Sequence, residues 1–113
     1  MINTKDIALL GAKILDSKKA EDIVIIDIGQ KAAFADYFVI ASGGNERLIG
    51  ALANDVEDAF AKEGIIVKNI EGKKESGWIL MDYGDIIINI LSVEMRQRYN
   101  IEKVWGDCEF IEM

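Results

Sequence analysis

Three apolar runs of strand length constrain this chain more than any other feature. Residues 23–28 read Ile-Val-Ile-Ile-Asp-Ile, residues 36–41 read Asp-Tyr-Phe-Val-Ile-Ala, and residues 85–91 read Asp-Ile-Ile-Ile-Asn-Ile-Leu. A strand with one wet face alternates apolar and polar side chains. These runs do not alternate, so both of their faces must be covered. Helices packed on a sheet provide that cover, and a chain of 113 residues fits one domain. The expectation is a single α/β domain over residues 1–113, with a mixed sheet of about five strands flanked by helices.

Helical spacing appears between the runs. Ile7, Leu10, Ile14 and Leu15 form one stripe of a first helix, capped by Thr4 or Asn3 and ending near Ser17. A longer helix is expected over residues 46–63. Asn45 is its cap, Leu48, Ile49, Leu52, Val56, Ala59 and Phe60 its buried stripe, and Gly64 the left-handed residue that ends it. Two more strands are expected at residues 65–70 and 77–82, with a hairpin turn at Tyr83-Gly84. A helical segment over 93–98 and a short turn over 101–104 then lead to Trp105. Strands joined by short loops should be antiparallel neighbours. The strand before the long helix can pair in parallel with a later one through a crossover.

Charge and residue usage narrow the function. With 20 acidic against 13 basic residues, the net charge is −7. Most of such a surface repels phosphate, which argues against nucleic-acid binding, sequence-specific binding included. A basic protein would be attracted and steered; the plainer role of the charge is solubility. Histidine is absent, which removes the commonest metal ligand and general base. Cys108 is the only cysteine, so no internal disulfide forms, and it reads as a small semi-buried apolar residue. No apolar run approaches the ~20 residues of a membrane-spanning helix. No signal peptide is visible either, so a cytoplasmic location is expected.

Several clusters could carry chemistry. Ser42-Gly43-Gly44 follows a strand and opens a helix, where free N–H groups could cradle a phosphate. It lacks the residues of a P-loop or dinucleotide fingerprint, and a tight turn into a capped helix is the simpler reading. Asp82 and Asp85 could share a magnesium ion, but the turn between them favours local hydrogen bonding. Asp27 and Asn89 lie inside apolar strands and need partners there. On the strand at 77–82, Trp78, Leu80 and Asp82 share one face, while Ile79, Met81 and Tyr83 share the other. Large apolar groups on both faces fit either full cover by helices or an exposed patch of hot-spot composition. Arg96 could pair with Glu94, Glu102 or Asp107, and a solvated helix face with surface ion pairs is the expectation. Trp105-Gly106-Asp107 reads as an anchor that pins the C-terminal segment.

Taken in order, residues 36–43 (Asp-Tyr-Phe-Val-Ile-Ala-Ser-Gly), Glu71-Gly72, residues 78–85 (Trp-Ile-Leu-Met-Asp-Tyr-Gly-Asp), Arg96, residues 99–102 (Tyr-Asn-Ile-Glu) and 104–107 (Val-Trp-Gly-Asp) closely resemble the ribosomal silencing factor, or Iojap-like, family. The resemblance covers nearly the whole chain. It implies a fold related to nucleotidyltransferases but without their activity, and no cofactor. It implies binding to large-subunit ribosomal protein L-fourteen on the intersubunit face, which blocks joining of the small subunit and lowers translation when nutrients are short. A role in large-subunit maturation and a homodimer are implied as well. Carried over by motif, the partner-binding positions are Trp78, Leu80, Met81, Asp82, Tyr83 and Gly84. Relatives often carry His where this chain has Asn89 and Ser92, so a His-dependent contact is not expected here.

Two other classes of function compete. A small magnesium-dependent nucleotidyltransferase would use Ser42-Gly43-Gly44 with an Asp pair, and nucleotide would then raise its thermal stability. A dimeric interaction module for another complex would self-associate without binding ribosomes.

Overall fold

The apolar runs become the middle of one sheet. The structure is a computed structural model that describes residues 3–113. Helix α1 (Thr4–Ser17) leads into the antiparallel pair β1 (Glu21–Asp27) and β2 (Tyr37–Gly43). Helix α2 (Glu46–Lys62) then crosses to β3 (Asn69–Lys73), a single 3-10 turn, and the antiparallel strands β4 (Trp78–Asp82) and β5 (Ile86–Ser92). Helices α3 (Val93–Tyr99) and α4 (Ile101–Val104) and a short β6 (Glu109–Ile111) complete the chain. The sheet order is β3-β4-β5-β2-β1-β6, and among the described residues only the β2–β5 pair is parallel. It joins the strand before the long helix to a later one, as expected.

Among the described residues there are six strands rather than about five. The missed strand, β6, has three residues and pairs with β1. So short a segment shows no periodicity that could reveal it. The strand expected at 65–70 also lies elsewhere. Residues 65–68 form an irregular connection that bends at Lys68, with Ile65 and Val67 packed on the core and Ile66 turned outward. The pairing itself is made by Asn69–Lys73, an exposed edge strand whose polar composition hid it.

Helices α1 and α2 seal one face of the sheet. Asn3 caps α1 by accepting from the Asp6 N–H at 2.8 Å, and Asn45 caps α2 by accepting from Leu48. The buried residues of α1 are Ala8, Gly11, Ala12 and Leu15, one step around from the predicted stripe; Ile7, Leu10 and Ile14 flank them. Small residues bring the helix axis close to its neighbours. A Cβ on Gly11 would stand 3.2 Å from the Phe60 ring. Under these helices lies the larger core, with Leu15, Ile25, Val39, Ile49, Val56, Phe60, Met81, Ile88 and Ile90 fully buried.

The opposite face carries a smaller cluster of Ile26, Ile28, Phe38, Ile40, Ile87 and Leu91. Its cover consists of α3, α4 and the loop between β1 and β2. Trp105 meets Phe38 edge-on at 5.6 Å, so the expected C-terminal anchor is present. A Lys31–Asp107 ion pair ties the same segment down.

Candidate functional site

On that second face the cover stops short of β4. Antiparallel register sets three cross-strand pairs side by side along the sheet margin: Trp78 with Lys73, Leu80 with Glu71, and Asp82 with Asn69. Trp78 and Leu80 are half-buried, and a cleft of about 380 Å³ opens beside them, lined by Glu71, Gly72, Ser76 and Met95 as well. Tyr99, at the end of α3, stands 51% exposed with its ring 5.2 Å from that of Trp78. Gly72 has φ +84, and a Cβ there would meet the Trp78 carbonyl at 2.1 Å, so the edge strand can run this close only with glycine.

The carried-over positions do not form one surface. Trp78, Leu80 and Asp82 share the open face. Met81 points the other way and is 0% exposed in the main core, so it supports the strand from beneath and offers no atom to a partner. Tyr83 also lies on the α2 side, its ring 4.8 Å from Phe60. The Tyr83 hydroxyl is buried without a hydrogen-bond partner among the described residues. Burial, with a smaller push from Glu57, raises its pKa to about 12. At the turn, Asp82 Oδ1 accepts from the Gly84 N–H at 2.7 Å, and Gly84 holds φ +91.

Arg96 departs from the solvated helix face expected for it. It is 9% exposed. Its Nε and Nη2 donate to the two Glu102 oxygens at 3.0 and 3.2 Å, and its Nη1 donates to Ser42 Oγ at 3.1 Å. This fork ties α3 to α4 across Asn100, which adopts φ +41, and ties both to β2. One signal pointed here: an Arg followed six residues later by Glu, across an Asn that tolerates the left-handed region.

The remaining clusters do local work. Asp27 Oδ1 accepts from the Gly29 N–H at 3.2 Å at the end of β1. Gly43 is explained by packing, because a Cβ there would stand 2.8 Å from Ile49 Cγ1. Among the described residues no group of three or more His, Cys, Asp or Glu side chains comes together as a metal-holding cluster. No described helix is long and apolar enough to cross a membrane.

Fold and site define a one-domain α/β protein whose sheet is sealed on one face and left partly open on the other, beside an aromatic edge. The family model "Ribosomal silencing factor during starvation" matches residues 2–113, and the chain belongs to that family. It is 36% identical over 112 residues to Ribosomal silencing factor RsfS of Bacillus subtilis, covering 99% of this chain and 95% of that protein. It is 32% identical over 104 residues to the mouse protein named mitochondrial assembly of ribosomal large subunit protein 1, covering 88% of this chain and 45% of that one. A crystal structure of a Chromobacterium violaceum protein superposes with a TM-score of 0.88 at 28% identity, covering 92% of this chain and 87% of the other.

Proposed function

We propose that this protein acts by occupancy rather than catalysis. It binds the large ribosomal subunit through ribosomal protein L-fourteen and keeps the small subunit from joining, which represses translation. The observation that carries this reading is the half-covered Trp78–Leu80 strip with Tyr99 beside it, in a chain of net charge −7. Aromatic and aliphatic side chains at the centre of a patch are the usual anchors of a protein interface. An acidic domain is attracted to a basic ribosomal protein. Family membership supports a ribosomal partner, and the mouse relative's name points to the large subunit and to its assembly. A role in large-subunit maturation therefore belongs to the same reading, as do a cytoplasmic location and a homodimer in the unbound state.

In this reading Trp78 and Leu80 make the contact with Asp82 at its rim. Gly84 shapes the adjoining turn, and Met81 and Tyr83 brace the strand from the core side. A stable interface buries about 800 Å² on each partner, enough to obstruct a subunit-joining surface without any chemistry. The test is co-sedimentation with isolated large subunits, isolated small subunits and joined ribosomes. The protein should travel with large subunits alone and deplete joined ribosomes as it is added. Equal binding to both subunits, or none at micromolar protein, contradicts the proposal.

A further inference from the structure

We infer that Asn89 is a positioning residue for docking: it holds the Trp78 ring in its binding orientation at the expense of the fold's own packing. The inference rests on the proposed role of the Trp78 face. Asn89 sits in the middle of β5, flanked by Leu80 on β4 and Ile40 on β2, and is 1% exposed. Every other residue from Ile86 to Leu91 is apolar, so an aliphatic side chain would suit the position better. Its carboxamide oxygen accepts the Trp78 indole N–H at 3.0 Å. An indole nitrogen only donates, so the Asn89 amide must turn its oxygen toward Trp78 and its nitrogen away. That nitrogen, Nδ2, is buried with no hydrogen-bond partner among the described residues.

A half-satisfied buried amide lowers stability. Its return here is the fixed direction of Trp78, which Tyr99 reinforces from the side at 5.2 Å. Two consequences follow for recognition. The only hydrogen-bond donor of the Trp78 side chain is already used, so a partner meets this ring through its carbon face and edge. The ring is also ordered before the partner arrives, which removes part of the entropy cost of association.

The test is Asn89→Leu, nearly isosteric and without the acceptor, compared with Trp78→Ala and the unaltered protein. Affinity for isolated large subunits, melting midpoint and hydrogen exchange of the indole N–H are measured, with Trp105 as the internal control. Asn89→Leu should keep or raise the midpoint, speed exchange at Trp78 but not at Trp105, and weaken binding about five- to tenfold. If Asn89→Leu binds as the unaltered protein does while Trp78→Ala is weak, the positioning role fails and the proposed function stands. If both bind at full strength, the docking face itself is wrong. A loss of binding that comes with a lowered midpoint also overturns the inference, because Asn89 would then serve the fold.

Discussion

The two faces of this sheet share strands but are closed by different means. Helices of 14 and 17 residues seal the α1/α2 face over a continuous apolar core in which Phe60 and Met81 are fully buried. The other face is closed by helices of seven and four residues, a loop, and the polar ties of Arg96 and Asn89. Packing can be dense and indifferent to partners on the first. On the second, hydrogen-bonded ties fix individual side chains and leave an aromatic margin uncovered. Core packing and the proposed docking are thereby divided between faces of one sheet, at the level of alternate residues along β4: Ile79 and Met81 face the main core, while Trp78 and Leu80 face the second cluster and its open cleft.

That division can be broken from either side. The largest effect is expected from Phe60→Ala, which empties the centre of the sealed core. It should cost about 3–5 kcal/mol in denaturant unfolding, while a large subunit in excess still captures the folded fraction. Next comes Glu102→Ala, which strips the buried Arg96 guanidinium of its carboxylate. It should cost about 2 kcal/mol and weaken subunit binding as well, because α3 and Tyr99 lose their tether. A loss of stability with binding intact would separate the tether from the docking face.

The smallest effect is a pH dependence of the sealed face. Tyr83 has its folded pKa raised from the ordinary 10.0 to about 12, mainly by burial. The folded state therefore holds this proton where the unfolded state has released it. The contribution is complete below pH 10 and is lost as pH rises toward about 12. Ultraviolet titration should show Tyr83 ionising late, separated by Tyr83→Phe from Tyr37, whose pKa is also raised by partial burial and by the carboxylates of Asp27, Asp36 and Glu109, together with a decline in stability over that interval. A Tyr83 that titrates near pH 10 in the folded protein would show that its hydroxyl is open to water.

Much of this was legible in the sequence because it rests on periodicity. The unalternated runs marked β1, β2 and β5, the spacing of Leu52, Val56 and Phe60 marked α2, and Asn45 marked its start. Edge elements were harder. Strand β3 is polar and exposed because only β4 pairs with it, and β6 is three residues long. Alternation along the strand already put Trp78, Leu80 and Asp82 on one face and Met81 and Tyr83 on the other, but the motif carried both sets over together, and only the fold shows which face is covered. Asn89 was visible as a polar residue inside an apolar strand, whereas Arg96, between Glu94 and Arg98, read as part of a solvated helix face. Glu102 was one of three partners open to Arg96; the choice among them, and the partners Ser42 and Trp78 on other elements, needed the fold.

The proposed function requires the partner to meet the open face and not the sealed one. It is tested most directly by titrating isolated large subunits with Trp78→Ala and with Asn54→Ala, the latter an exposed, uncharged position on α2. Trp78→Ala should stay folded and lose on the order of 2 kcal/mol of binding, roughly thirtyfold, while Asn54→Ala should bind like the unaltered protein. Full affinity for a folded Trp78→Ala, or a comparable loss for Asn54→Ala, would contradict it.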